Sequence, residues 1–142
     1  MNLPAIDIAN YFLSKADEEA GDVMSNLKLQ KLLYYAQGFY LALYDEPLFS
    51  EPIKAWKHGP VVPSVYHHFK EHGEFGLDRP KEIKALPRQV REVLDEVYKV
   101  YGQFSAWKLR NLTHREPPWA ETAQSRTINH TSLQAYFKTQ LV

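Results

Sequence analysis

Cysteine is absent from the 142 residues. That excludes disulfides and thiolate metal sites, and it leaves the compartment unmarked by redox chemistry. Net charge is absent too, with 17 Lys and Arg against 17 Asp and Glu. Broad phosphate-backbone binding needs a surplus of cations on one face, so nucleic acid is not the expected partner. Long apolar runs are missing. The longest uncharged stretch, Leu32 to Tyr44, lies between Lys31 and Asp45. A membrane span needs about 20 apolar residues, so this stretch reads as a buried helix and no membrane partner is expected. Asp7 breaks the early apolar run, which does not resemble a secretory signal; a cytoplasmic protein is expected. The six glycines are scattered and form neither a G-x-G-x-x-G nor a Walker phosphate loop.

Aromatic side chains are plentiful: nine Tyr, seven Phe and three Trp. The length suits one domain, residues 1–142, which buries roughly 68–70% of its unfolded surface. Pro4 suits a first helical turn, and Ala5, Ile6, Ala9, Phe12 and Leu13 give a helix to about Lys15. A polar break follows at Asp17 to Gly21, with an acidic run at Asp17, Glu18, Glu19 and Asp22. Ser25 is placed to cap a helix over about Asn26 to Tyr44. Apolar residues fall on two sides of that helix, which predicts burial between neighbours. Gly38 inside it calls for a close helix approach or an inserted side chain. Gln30, Lys31 and Gln37 are the polar groups able to line a site along it.

Leu48 to Glu51 and Ile53 to Trp56 are short candidate strands separated by Pro52. The stretch IKAWKHGPVVPSVY (Ile53 to Tyr66) predicts an extended Ala55–Trp56, a turn at His58-Gly59-Pro60, and a helix opening at Pro63. That helix runs to His72, with Val62, Val65, Tyr66 and Phe69 inward, and stops at Gly73. Residues Gly73 to Leu86 read as a loop. Pro87 to Tyr101 is the clearest amphipathic helix, closed by Gly102. Ser105 caps another helix through Leu112, and Pro117-Pro118 must break it. A final helix spans Thr131 to Lys138. The expected fold is mainly α with a small β-hairpin, a single helical domain around a central buried helix.

No complete catalytic set is present. His67 and His68 are adjacent and point about 100° apart on a helix. His72 shares a face with His68, but HHFKEH lacks the zinc-protease offset, so no metal or other cofactor is expected. His114 with Glu116, and His58 with Lys57, are candidate acid–base pairs. The plainer role for His114 is to meet the negative pole of its helix end. Ser64 and Ser105 are hydroxyls without a G-x-S-x-G elbow. The third option is a protein-binding surface, which favours rigidly held Trp, Tyr and Arg.

Three segments together resemble a known family. KLQKLLYYAQGFYLAL (Lys28 to Leu43), AWKHGPVVPSVYHHF (Ala55 to Phe69) and LTHREPPW (Leu112 to Trp119) look like the signatures of the Panacea, or SocA-like, antitoxin domain, also called phage-associated protein. Lys31, Leu32, Leu33 and Tyr34 match the helix signature. Trp56, Gly59, Pro60, Val61 and Tyr66 match the second, with His58 among them. Thr113, His114, Pro118 and Trp119 match the third. The resemblance implies an antitoxin, often prophage-encoded, that binds a cognate toxin protein and either occludes it or presents it to a cellular protease. It implies no catalytic residue. The rival readings are a small enzyme with His58 or His114 as acid–base group, and a nucleic-acid regulator using Arg79, Lys81, Lys84, Arg88 and Arg91.

Overall fold

The computed structural model describes residues 1–16, 24–72 and 76–141. The acidic run at Asp17 to Asp22, the polar break around it, the stop at Gly73 and the side chain of His72 lie outside the described part. The elements are α1 (Ala5–Lys15), α2 (Asn26–Tyr44), β1 (Lys54–Trp56), β2 (Gly59–Val61), α3 (Pro63–Phe69), α4 (Arg88–Tyr101), α5 (Ala106–His114), α6 (Pro117–Ala120) and α7 (His130–Lys138). A 3₁₀ turn, Lys70–His72, continues α3 where the sequence suggested one unbroken helix. The fold is mainly α, as expected. Among the described residues no helix is long and apolar enough to cross a membrane.

Helix α2 is the axis of the structure. Every residue from Lys28 to Gly38 is buried, because α1, α4, α5, α7 and β2 all pack against it. Ser25 caps it as predicted, accepting a hydrogen bond from the Lys28 backbone N–H at 3.1 Å. Complete burial of Leu29, Leu32 and Leu33 contributes about 1.5–3 kcal/mol each. The longest contact of α2 is with α7, and Gly38 explains how close it is. The Phe137 ring occupies the space a Cβ at position 38 would need. That ring also meets Tyr34, Tyr35 and Phe39 edge-on, with centroids 4.8–5.9 Å away.

Of the three polar side chains expected to line a site along α2, Gln30 borders a pocket at the start of the helix, whereas Lys31 and Gln37 do not. All three also bond backbone that lacks a partner in a ladder at that point. Gln37 donates to the Phe49 carbonyl at 2.7 Å and accepts from the Leu48 N–H at 2.7 Å. Gln30 accepts from the Val62 N–H at 2.9 Å. Lys31 donates to the Pro60 carbonyl at 3.0 Å. Each bond satisfies a buried backbone group that would otherwise cost about 1–3 kcal/mol. Leu48 to Glu51 is consequently not a strand; Gln37 does the work a neighbouring strand would do.

The hairpin differs from the sequence expectation in register. The turn is Lys57-His58, and Gly59-Pro60-Val61 is a strand. Pro60 lies opposite Ala55, whose own N–H donates to the Arg126 carbonyl at 2.9 Å on the other side. Ala55 and Pro60 therefore form a non-hydrogen-bonded pair, where the missing proline N–H costs nothing. Residues 125–128 run along the free edge of β1, with Ser125 donating to Ala55 and Ile128 to Ile53.

Pro117-Pro118 ends one helix by starting another. Both prolines occupy the first turn of α6, where N–H groups have no intrahelical acceptor anyway. Meanwhile α5 continues through Thr113 to His114, two residues further than expected.

Gly38→Ala tests the α2–α7 contact. Helix propensity alone favours Ala by about 1 kcal/mol. The overlap with Phe137 outweighs it, so we expect a net loss of roughly 1–3 kcal/mol in urea unfolding; a gain in stability would disprove the close packing.

Candidate functional site

Gly59 is the point where the three signature segments meet. Its φ is +110°, a conformation that residues with a Cβ resist. A Cβ there would also lie 2.6 Å from Lys31 Cε and 2.9 Å from Thr113 Oγ1. Thr113 Oγ1 is itself turned back to donate to the Arg110 carbonyl at 2.8 Å. The second signature thus rests on Lys31 of the first and Thr113 of the third. Trp119 completes the join: its Nε1 donates to the Trp56 carbonyl at 2.8 Å. The His114 ring stacks on the Trp119 ring, with centroids 3.9 Å apart and planes within 5°.

The electrostatics under the hairpin are unusual for a structural site. Lys31 is fully buried. Burial first, then the Arg110 guanidinium, lowers its ammonium pKa to about 7. Burial lowers the pKa of His114 as well, with Arg110 and Lys31 adding to the effect and a backbone hydrogen bond at Lys57 opposing it. His114 Nε2 is buried without a protein partner.

Glu116 is not the partner of His114. Its carboxylate accepts from the Tyr34 and Tyr35 hydroxyls, each at 2.9 Å. Burial raises its pKa to about 7, although the hydroxyls of Tyr34, Tyr35 and Tyr136 oppose the shift. Burial and the facing carboxylate raise Tyr34 and Tyr35 well above the usual phenol range. The candidate His114–Glu116 pair does not form for a simple reason: the Glu116 side chain turns back toward α2, to Tyr34 and Tyr35.

The other proposed pair fails too. His58 stands exposed on the hairpin turn, and its Nδ1 accepts from Arg110 Nε at 3.1 Å. Arg110 in turn lies 4.4 Å over the Trp107 ring, within cation–π range. Trp107 is 55% exposed. Sequence reading passed over Trp107 and Arg110. Their i, i+3 spacing on the polar side of α5, facing away from Leu109 and Leu112, was the available signal.

Beside this cluster lies a concave pocket of about 530 Å³ between the N-terminal turn of α2, the hairpin and α3. Trp56, Tyr66, Leu27 and Val61 supply its apolar wall, and Lys57, His58 and Lys70 are also part of its lining. The Trp56 and Tyr66 rings meet edge-to-face at 5.2 Å. Tyr66 is half-buried here, not inside the core.

The eleven expected residues therefore separate by depth. Lys31, Tyr34, Gly59, Pro60, Val61 and Thr113 are buried and shape the scaffold. Trp56, Tyr66, His114 and Trp119 are half-buried, and His58 is exposed. Among the described residues no three His, Asp or Glu side chains converge as metal ligands.

Residues 29–120 match the family Antitoxin SocA-like, Panacea domain. The chain belongs to this family. It is 36% identical over 136 residues to Antitoxin SocA of Caulobacter vibrioides (strain NA1000 / CB15N), covering 86% of this chain and 71% of that protein. No solved structure matches. The matched span of the SocA-like domain takes in most of α2, the whole hairpin and α5–α6, which are the parts that meet at Gly59.

Two outcomes are expected from this geometry. Gly59→Ala combines a disfavoured φ with two close contacts, so chemical denaturation should show a loss of roughly 2 kcal/mol or more. Glu116 makes stability fall with rising pH. Its folded pKa of about 7 lies above the unfolded value of 4.5, so its contribution is whole below pH 4.5 and lost as pH rises through 7. Wild type should lose on the order of 3 kcal/mol relative to Glu116→Gln across that window. Parallel stability curves for the two proteins would show that Glu116 is not held protonated.

Proposed function

We propose that this chain is the antitoxin of a toxin–antitoxin pair and that it neutralises a toxin protein by binding it directly. Family membership carries the antitoxin reading. The binding reading is supported by the surface at the hairpin tip, where exposed Trp107 is braced by Arg110 and His58. Trp, Tyr and Arg held in place by their neighbours are the side chains that dominate protein interfaces. Residues 1–142 are read as one such domain, working in the cytoplasm.

The division by depth suits this role. Buried Lys31, Gly59 and Thr113 fix the position of the hairpin, while Trp56, His58, Tyr66 and Trp107 present side chains to a partner. A rigid support lowers the entropy lost on binding. Occlusion of the toxin needs nothing more than this face. Delivery to a protease needs a second surface, and co-purification with and without a protease distinguishes the two routes.

An enzymatic reading has less support. The Nδ1 of His58 is taken by Arg110, and Glu116 points away from His114 into the tyrosine hydroxyls.

Co-expression with the product of the adjacent open reading frame should rescue growth and yield a co-purifying complex. Trp107→Ala should weaken that complex at least about 10-fold without shifting the thermal midpoint. His58→Gln and His114→Gln should continue to protect. Growth arrest in the presence of soluble, folded chain would refute the antitoxin reading, and loss of protection by a fully folded His variant would favour acid–base chemistry.

A further inference from the structure

We propose that the pocket between α2, the hairpin and α3 receives an acidic–apolar segment of the toxin: a bulky apolar side chain with an Asp or Glu within one or two residues. This rests on the direct-binding reading above and specifies the chemistry of the partner.

The pocket has two chemically distinct parts. Its wall is the Trp56–Tyr66 edge-to-face pair with Leu27 and Val61. Its volume of about 530 Å³ falls in the ordinary range of ligand clefts and accommodates a large aromatic or aliphatic side chain. Lys57, on the hairpin turn, and Lys70, at the end of α3, are its charged lining residues, and among the described residues no Asp or Glu lines it.

That local excess of cations stands out in a chain of zero net charge. Among the described residues some surface cations elsewhere are paired, Lys15 with Asp95, Arg88 with Glu92 and Lys138 with Asp45, and others such as Lys99 are not; what sets Lys57 and Lys70 apart is that they line an aromatic cleft. Among the described residues neither Lys57 nor Lys70 has an ion-pair partner, and Arg110, which bonds His58 of the lining, is otherwise engaged by Asn111 and the Trp107 face. An apolar cleft with unpaired ammonium groups in its lining is complementary to an apolar anchor carrying a carboxylate. The carboxylate gains a charge-assisted bond as the anchor displaces water from the aromatic wall.

A protein segment fits better than nucleic acid. Phosphate-backbone binding draws on a row of cations, whereas this pocket carries two lysines and an aromatic cleft deep enough for a side chain. The larger basic stretch, Arg79 to Arg91, lies elsewhere and is partly engaged: Arg79 donates to the Ser14 carbonyl, and Lys84 faces Asp7 at 4.0 Å.

The wall also has reason to be preformed. Asn26 Nδ2 donates to the Tyr66 carbonyl at 3.0 Å, tying α3 to the start of α2. Trp119 ties the Trp56 backbone to α6. The anchor enters a cleft whose two aromatic residues are each tethered from behind.

The test is a charge reversal at exposed positions, Lys57→Glu with Lys70→Glu, in the full chain. Lys99→Glu on α4 is the control. Affinity for the co-expressed toxin is read by titration, and folding by circular dichroism and thermal midpoint. The double variant should keep its midpoint and lose toxin affinity by roughly 30-fold or more. The control should stay within about twofold, and wild-type affinity should fall with added salt. Acidic-to-Lys substitutions in the toxin should restore binding to the double variant at one segment only. Full affinity of a folded double variant would overturn the pocket assignment while leaving the antitoxin reading intact. Absence of toxin binding by wild type would overturn both. Binding of labelled duplex DNA, or a wild-type dimer, that the double variant abolishes without altering toxin affinity would assign the pocket to that occupant instead.

Discussion

The hydrogen bond from Lys31 to the Pro60 carbonyl is the constraint on which the hairpin depends. A three-residue ribbon is too short to hold itself in water. This one is held from beneath by an ammonium in the core and from its free edge by residues 125–128. Desolvating Lys31 costs free energy, as its lowered pKa shows, and that cost is accepted for position. Gly59 is the consequence. Lys31 and Thr113 approach so closely that no side chain fits between them and the strand.

A second ionisable group, the half-buried Glu116, does the corresponding task on another face of α2. It joins the α5–α6 corner to Tyr34 and Tyr35, and with them to the aromatic stack on Tyr101. The central helix is therefore tied by a cation to the hairpin and by a carboxylic group to the corner. Among the described residues neither group is paired with an opposite charge, and each relies on neutral hydrogen-bonding partners. Their opposite pKa shifts follow from the same cause, burial that penalises the charged form.

These ties turn two stiff bends into one surface. Trp119 reaches Trp56 across sixty-three positions of sequence, and Arg110 reaches His58 across fifty-two. The buried members of the family signatures make those meetings possible, and the residues around them are left at the surface. The proposed antitoxin role suits such a separation of tasks, because a fixed scaffold leaves the contact surface free to vary.

Local chemistry wrote much of the fold into the chain. Ser25, Ser105 and Gly102 fixed helix ends because capping and termination involve only neighbouring residues. Gly38 announced a close approach, and Gly59 its positive φ, because a missing Cβ has few other uses at such positions. The family itself was legible in the order of three motifs. What local chemistry left open was everything that depends on a distant partner. The hairpin turn moved to Lys57-His58 because Ala55 spends its hydrogen bonds on residues 125–126, seventy positions away. Gln30, Lys31 and Gln37 became backbone supports, and Glu116 left His114 for two tyrosines, because burial and direction are decided only when α2 is enclosed on all sides. Sequence determined most of the helical segments and several of their ends; the packing of those segments decided which polar groups are buried supports and which stay at the surface, since hydrogen-bonding and charge are settled by surroundings that the chain acquires only on folding.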